Sequence, residues 1–257
     1  MKTIGKPLLA IIIFLVMQFI GGLFAIAATS FFGISSSNSL ALGLILSELI
    51  TVGILFALKM IRSKTFNPAR VKWKLTPMAF AAALLGIFAT NLLSEQLNLP
   101  DLMKAQMGDM AKSAFGILAI AIIGPIVEEL VFREAIIHNM LKNGAHRWQA
   151  ILFSALAFGL IHFNPSQVPF AIIMGVILAV IYVKTYNIVL TSIIHIFNNS
   201  IAVIELNVLG EHSDEFRYSD ILGGTAITWF YIIVCAALSY GFLVSFWKKY
   251  HRHGSSS

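Results

Sequence analysis

The chain has 257 residues, of which 58% are hydrophobic and 12% charged, and a net charge of +6. A soluble domain carries about 25% charged residues, so this composition, with a mean hydropathy of +0.84, excludes a water-soluble globular protein. The basic residues sit at the ends of apolar segments rather than on one face, which argues against nucleic acid as a partner and for a membrane protein oriented by its charges.

Period-two alternation of the kind an outer-membrane barrel shows is absent. Several apolar runs exceed the roughly 20 residues that cross a hydrocarbon core. The predicted architecture is therefore all-α: a polytopic integral membrane protein, one domain over 1–257, with about eight transmembrane helices around a polar intramembrane cavity. The single cysteine, Cys235, excludes an intrachain disulfide and a multi-cysteine metal site.

The first predicted span, 7–32, follows Lys2 and Lys6 and contains Ala25-Ile26-Ala27, so it imitates a signal peptide. Its apolar run is far longer than the roughly 7–15 residues of a signal core, and it reads as a retained helix. The remaining spans are predicted at 39–60, 76–95, 115–141, 148–163, 168–185, 188–207 and 225–247. The fifth and sixth are short, which tilt or a bordering cavity accommodates. Residues 98–113 (LNLPDLMKAQMGDMAK) are too polar to span. Leu102, Met103, Met107, Met110 and Ala111 share a helical face there, as in an interfacial amphipathic helix or a loop helix packed on the bundle. Gly254-Ser255-Ser256-Ser257 reads as an expression scar outside the fold.

With the N-terminus in the cytoplasm, the cytoplasmic connections hold Lys2 and Lys6, the cluster Lys59, Arg62, Lys64, Arg70, Lys72 and Lys74, then Lys142, Arg147 and Lys184, and finally Lys248, Lys249 and Arg252. The opposite side holds Lys104, Lys112 and Arg217 among the acidic Glu95, Asp101, Asp109, Glu211, Asp214, Glu215 and Asp220. Both termini are thus expected inside, by the positive-inside rule. The Ile, Phe and Lys content looks bacterial, and a bacterial cytoplasmic membrane is the expected location.

The fourth span, FGILAIAIIGPIVEELVFREAIIHNML, carries Glu128 and Glu129 in the middle of apolar sequence. An ionisable residue at the bilayer centre costs at least about 2.5 kcal/mol, so such a pair marks a functional site. Glu129 and Arg133 are spaced i, i+4 and can pair on one face. Glu128 points about 100° away around a 3.6-residue helix and is left to face a cavity as a general base. Gly124-Pro125, one turn earlier, is expected to kink the helix. The bland reading is a paired or neutral structural couple.

Later spans add Phe158 and His162 at i, i+4, then His195 and Asn199 at i, i+4. Two donors converging on one oxygen would form an oxyanion hole. Equally, Asn and His commonly bond helices together in membranes. Asn198 points off that face. Glu48, inside the second span, is either structural or reaches the cavity, and Glu134 lies toward the cytoplasmic end of its helix. Ser154 and Ser192 read as packing residues, and no H-E-x-x-H occurs.

Glu128-Glu129-Leu130-Val131-Phe132-Arg133, Phe158 through His162, and His195 through Asn199 together resemble the E-E-x-x-x-R, F-x-x-x-H and H-x-x-x-N motifs of the CPBP (CAAX protease and bacteriocin-processing, or Abi) family of intramembrane peptidases. The resemblance covers about 115–207 and extends to the type II CAAX prenyl endopeptidases. It implies hydrolysis of a peptide bond near the membrane. Glu128 would activate the water, His162 help to hold it, His195 and Asn199 stabilise the oxyanion, and Glu129, Arg133 and Phe158 support the site. No cofactor is favoured. The alternative is a divalent metal such as zinc held by Glu128, His162 and His195.

The implied partners are membrane lipid and a peptide or lipidated protein: a CAAX-type prenyl peptide, or a bacterial leader or bacteriocin-like peptide. Two rivals remain. One is a non-enzymatic membrane scaffold or bacteriocin self-immunity protein. The other is a proton-coupled transporter, for which inverted repeats are expected and none is seen.

Overall fold

A computed structural model describes residues 3–209 and 217–250. Lys2, Glu211, Asp214, Glu215, Arg252 and the tail 254–257 lie outside the described residues. Among the described residues there is no β-strand. The helices are α1 (Gly5–Phe32), α2 (Ser36–Ala57), α3 (Thr76–Leu97), α4 (Lys104–Ala111), α5 (Ala114–Lys142), α6 (Arg147–Leu160), α7 (Gln167–Thr185), α8 (Ile188–Leu209), α9 (Tyr218–Leu222) and α10 (Thr225–Lys249). Three short 3-10 turns join α2 to α3.

The chain is a polytopic membrane protein. Seven of these helices are long and apolar enough to cross a bilayer. The predicted fifth span is the exception: α6 has 14 residues, because Leu160 is followed by a turn that ends at Asn164-Pro165. The sequence marks the other boundaries locally. Gly33 ends α1 at φ +65°, the left-handed conformation that glycine adopts without strain. Pro77 opens α3, where a missing N–H costs nothing. Asn187 starts α8 by accepting the Val189 N–H on its side chain at 2.8 Å.

The described residues form two compact units, each drawn from three stretches of chain. One comprises 3–63, 102–146 and 195–209. Its α1 and α2 cross at Gly21 and Gly43, where a Cβ on either would overlap the carbonyl oxygen of the other. Such close backbone approach is how helices pack in lipid, where dispersion has to replace the hydrophobic effect. α1 also packs on α5, with Phe14 edge-on to Phe132 at 5.9 Å between ring centroids. Beyond the end of α2, Arg62 donates to the fully buried Glu134 of α5 through Nε, through Nη2 at 3.0 Å and through its backbone N–H at 3.3 Å. Asn139 ties the same two segments, donating to the Met60 carbonyl at 3.0 Å.

The segment 98–113 is resolved by packing. Only Lys104–Ala111 is helical, Met110 is buried beside Ala41 and Ala119, and Ala111 beside Ala121 and Val203. Leu102, placed on the same apolar face by sequence, is instead exposed.

The second unit comprises 64–101, 147–194 and 217–250. Leu178, Ile181, Ile194 and Phe246 form its core with small residues of α3 such as Ala79 and Ala83. Gly159 lets α6 lie against Ile172 of α7. Ser239 donates to the Ala82 carbonyl at 2.6 Å and joins α10 to α3. Glu95 accepts the Tyr218 and Ser219 N–H groups at 2.7 and 3.2 Å, placing a carboxylate at the start of α9.

Candidate active site

α5 is not a uniform α-helix. Leu118–Ile123 and Leu130–His138 are π-helical, and one α-helical stretch, Gly124–Glu129, lies between them. π-turns inside helices cost hydrogen-bond quality and are frequent at functional sites. The first has an evident cause in Pro125. Gly124 N–H donates to the Ala119 carbonyl, and Pro125 has no N–H to give. The Ile120 carbonyl therefore lacks a helical donor. Asn199 of α8 supplies one, from Nδ2 at 2.9 Å. Asn198 in turn donates to Asn199 Oδ1 at 3.0 Å, so the amide is held at both ends.

Glu128 and Glu129 sit at the end of the α-helical stretch. Glu129 is fully buried and receives Arg133 Nε at 3.0 Å and Nη2 at 3.3 Å. Arg133 is itself fully buried, so this pair meets the demand that a charge in an apolar interior be compensated. Glu128 turns to a different side and keeps about 17% of its side chain exposed.

His195 lies against both carboxylates, with Nδ1 3.2 Å from Glu129 Oε1 and Nε2 3.4 Å from Glu128 Oε2. An ionised carboxylate only accepts, so the Nδ1 hydrogen is directed at Glu129. This contact orients the ring and leaves Nε2 toward Glu128.

Glu128, Glu129, Arg133, His195 and Asn199 thus share one unit. His162 belongs to the other. Its Nδ1 lies 2.8 Å from the Phe158 carbonyl, and its ring is edge-on to that of Phe158 at 5.1 Å. A carbonyl only accepts, so Nδ1 carries the hydrogen, and in the neutral ring Nε2 is the lone-pair nitrogen.

Two features were beyond the motif spacing. His195 contacts both glutamates, and Asn199 donates to a carbonyl. The lone proline at 125 is the signal that could have indicated the second. Among the described residues, no group of three His, Cys, Asp or Glu side chains is spaced to hold a metal ion.

Comparison with known proteins falls on the same segment. Residues 110–201 match the family model described as Type II CAAX prenyl endopeptidase Rce1-like. The chain is 32% identical over 88 residues to a protein of Bacillus subtilis (strain 168) named putative membrane peptidase YdiL, covering 34% of this chain and 36% of that protein. It is 36% identical over 95 residues to the membrane-embedded CAAX protease MroQ of Staphylococcus aureus (strain USA300), covering 34% of this chain and 38% of that protein. The matched stretch thus spans little more than a third of these relatives. No solved structure matches. The three motifs and the family match coincide, and the chain resembles membrane peptidases in the segment that carries its buried charges.

Proposed function

We propose that the chain is an intramembrane endopeptidase that cuts a peptide bond close to the membrane using water activated by Glu128. The observation that carries this reading is the arrangement on α5 and α8. One glutamate is neutralised by Arg133, and its neighbour is partly open and faced by a histidine, within a segment that matches a peptidase family.

In the proposed step, Glu128 takes a proton from water as the water oxygen bonds to the scissile carbonyl carbon. The carbonyl π electrons move onto oxygen. Collapse of the tetrahedral intermediate expels the amine, which receives the proton from Glu128. His162 is the proposed holder of the water. Once Glu128 has taken the water proton it no longer competes as an anion for His195, which in this scheme is the imidazolium with hydrogens on both nitrogens, so its Nε2–H is then available to the oxyanion. Asn199 keeps a second amide hydrogen for the same purpose. Glu129 and Arg133 fix the turn. Zinc has no part in this scheme.

The proposed substrates are a prenylated CAAX-type peptide or a bacterial leader or bacteriocin-like peptide, reached from the bilayer. The test is cleavage of a fluorogenic prenylated CAAX peptide by purified protein, with and without a strong chelator. The parent should cleave in both conditions. Glu128→Ala should be slower by about 100-fold or more, the range for loss of a general base, with its melting temperature unchanged. An active Glu128→Ala protein refutes the scheme, and inhibition by the chelator that added zinc reverses refutes its metal-free form.

A further inference from the structure

The hydrolytic scheme leaves a buried carboxylate on α2 unused. Glu48 is 5% exposed and accepts a hydrogen bond from Gln18 Nε2 on Oε1 at 2.8 Å. Its other oxygen, Oε2, is buried with no hydrogen-bond partner. α2 packs on the Gly124–Glu129 stretch, and the Glu48 and Glu128 carboxyls are close enough to interact electrostatically. The charged and titratable side chains of this cluster are Glu128, Glu129 and Arg133 on α5 and His195 on α8, and both Arg133 and His195 are already against carboxylates.

Bonding α1 to α2 would need only the Gln18 contact, for which a glutamine at 48 would serve without placing a charge in lipid. A second ionised carboxylate facing Glu128 would be repelled. A carboxylic acid there is attracted instead, because an O–H donor to a carboxylate makes a short, charge-assisted bond. Gln18 selects which oxygen does this. Its amide occupies Oε1 as an acceptor and leaves Oε2 to carry the hydrogen.

Building on the peptidase reading, we infer that Glu48 is a positioning residue of the same site, donating as the neutral acid from Oε2 to Glu128 through one bridging water, so that the Glu128 carboxylate is held to receive the proton of the attacking water.

Two measurements on the full-length protein test this. The first compares kcat and KM for the fluorogenic prenylated peptide. Glu48→Ala should lower kcat about tenfold, the worth of one such hydrogen bond, with little change in KM. Glu48→Gln should restore most of that loss, since the amide keeps a neutral donor. A Glu48→Ala protein at the parent's kcat, or Glu48→Gln as slow as Glu48→Ala, overturns the inference.

The second uses infrared spectroscopy without substrate, so it does not depend on cleavage or on Glu48→Ala folding. The parent at neutral pH should show a carboxylic-acid C=O band that Glu48→Gln removes and Glu128→Gln shifts. Absence of the band, its persistence in Glu48→Gln, or its indifference to Glu128→Gln overturns the inference. A parent band that shifts in Glu128→Gln, with no cleavage of the prenylated peptide by the parent, would remove the prenyl-peptidase reading and leave the Glu48–Glu128 contact standing.

Discussion

Adjacent glutamates in lipid have opposite fates because a helix turns about 100° per residue. Glu129 faces Arg133 and is sealed, while Glu128 faces elsewhere and stays partly open. Arg133→Ala takes the guanidinium away from the buried Glu129, at a cost of about 3–5 kcal/mol. Its thermal midpoint should fall well below that of the parent. The double variant Glu129→Leu with Arg133→Met should recover most of that stability, because it removes both charges together. A singly substituted protein as stable as the parent would refute the bracing role. Much at this scale was legible in sequence. The i, i+4 spacing places Glu129 beside Arg133, and His195 and Asn199 on one helical face. What spacing within a helix could not supply is the partner on another helix: His195 against both carboxylates, or Asn199 against the Ile120 carbonyl.

Among elements, α5 shows how one proline is accommodated. Pro125 deprives Ile120 of a donor, the register widens to a π-turn, and an amide from α8 fills the gap. A kink was expected at Gly124-Pro125, and the π-turn beside it is a change of hydrogen-bond register there. Asn199→Ala should cost about 1–3 kcal/mol by stranding that carbonyl. In a Pro125→Ala background the new N–H can serve the carbonyl instead, and the Asn199→Ala cost should shrink. A double-mutant cycle on thermal or denaturant stability reads the difference, and equal costs in both backgrounds would disprove the link. Helix starts and stops were legible because they are local: Gly33, Pro77 and Asn187 act within a turn. The π register was not, since it depends on a side chain about eighty positions away.

For the whole molecule, the apolar segments were readable by length, but the count rests on α6. Seven helices have the length to cross, and α6 has 14 residues. If α6 crosses and the basic connections face the cytoplasm, the loops at Asp101 and Arg217 lie outside and those at Lys72, Lys142 and Lys184 lie inside. In a Cys235→Ala background, single cysteines at these positions should label from opposite sides with an impermeant maleimide. Labelling of the Lys142 and Lys184 loops from the outer face would refute this topology. The bands of sequence hydropathy could not show that the described residues fall into two units, each assembled from separated stretches.

The brevity of α6 also has a consequence for the lipid. At 1.5 Å per residue, 14 residues rise about 21 Å, against a hydrocarbon core of about 30 Å. If α6 crosses with Arg147 at one surface, the turn carrying His162 ends about 9 Å beneath the other. The bilayer there would then have to thin, or headgroups and water would have to dip to meet the imidazole. In that arrangement the local solvent of His162 is set partly by acyl-chain length, and membrane thickness becomes a variable of this protein's chemistry.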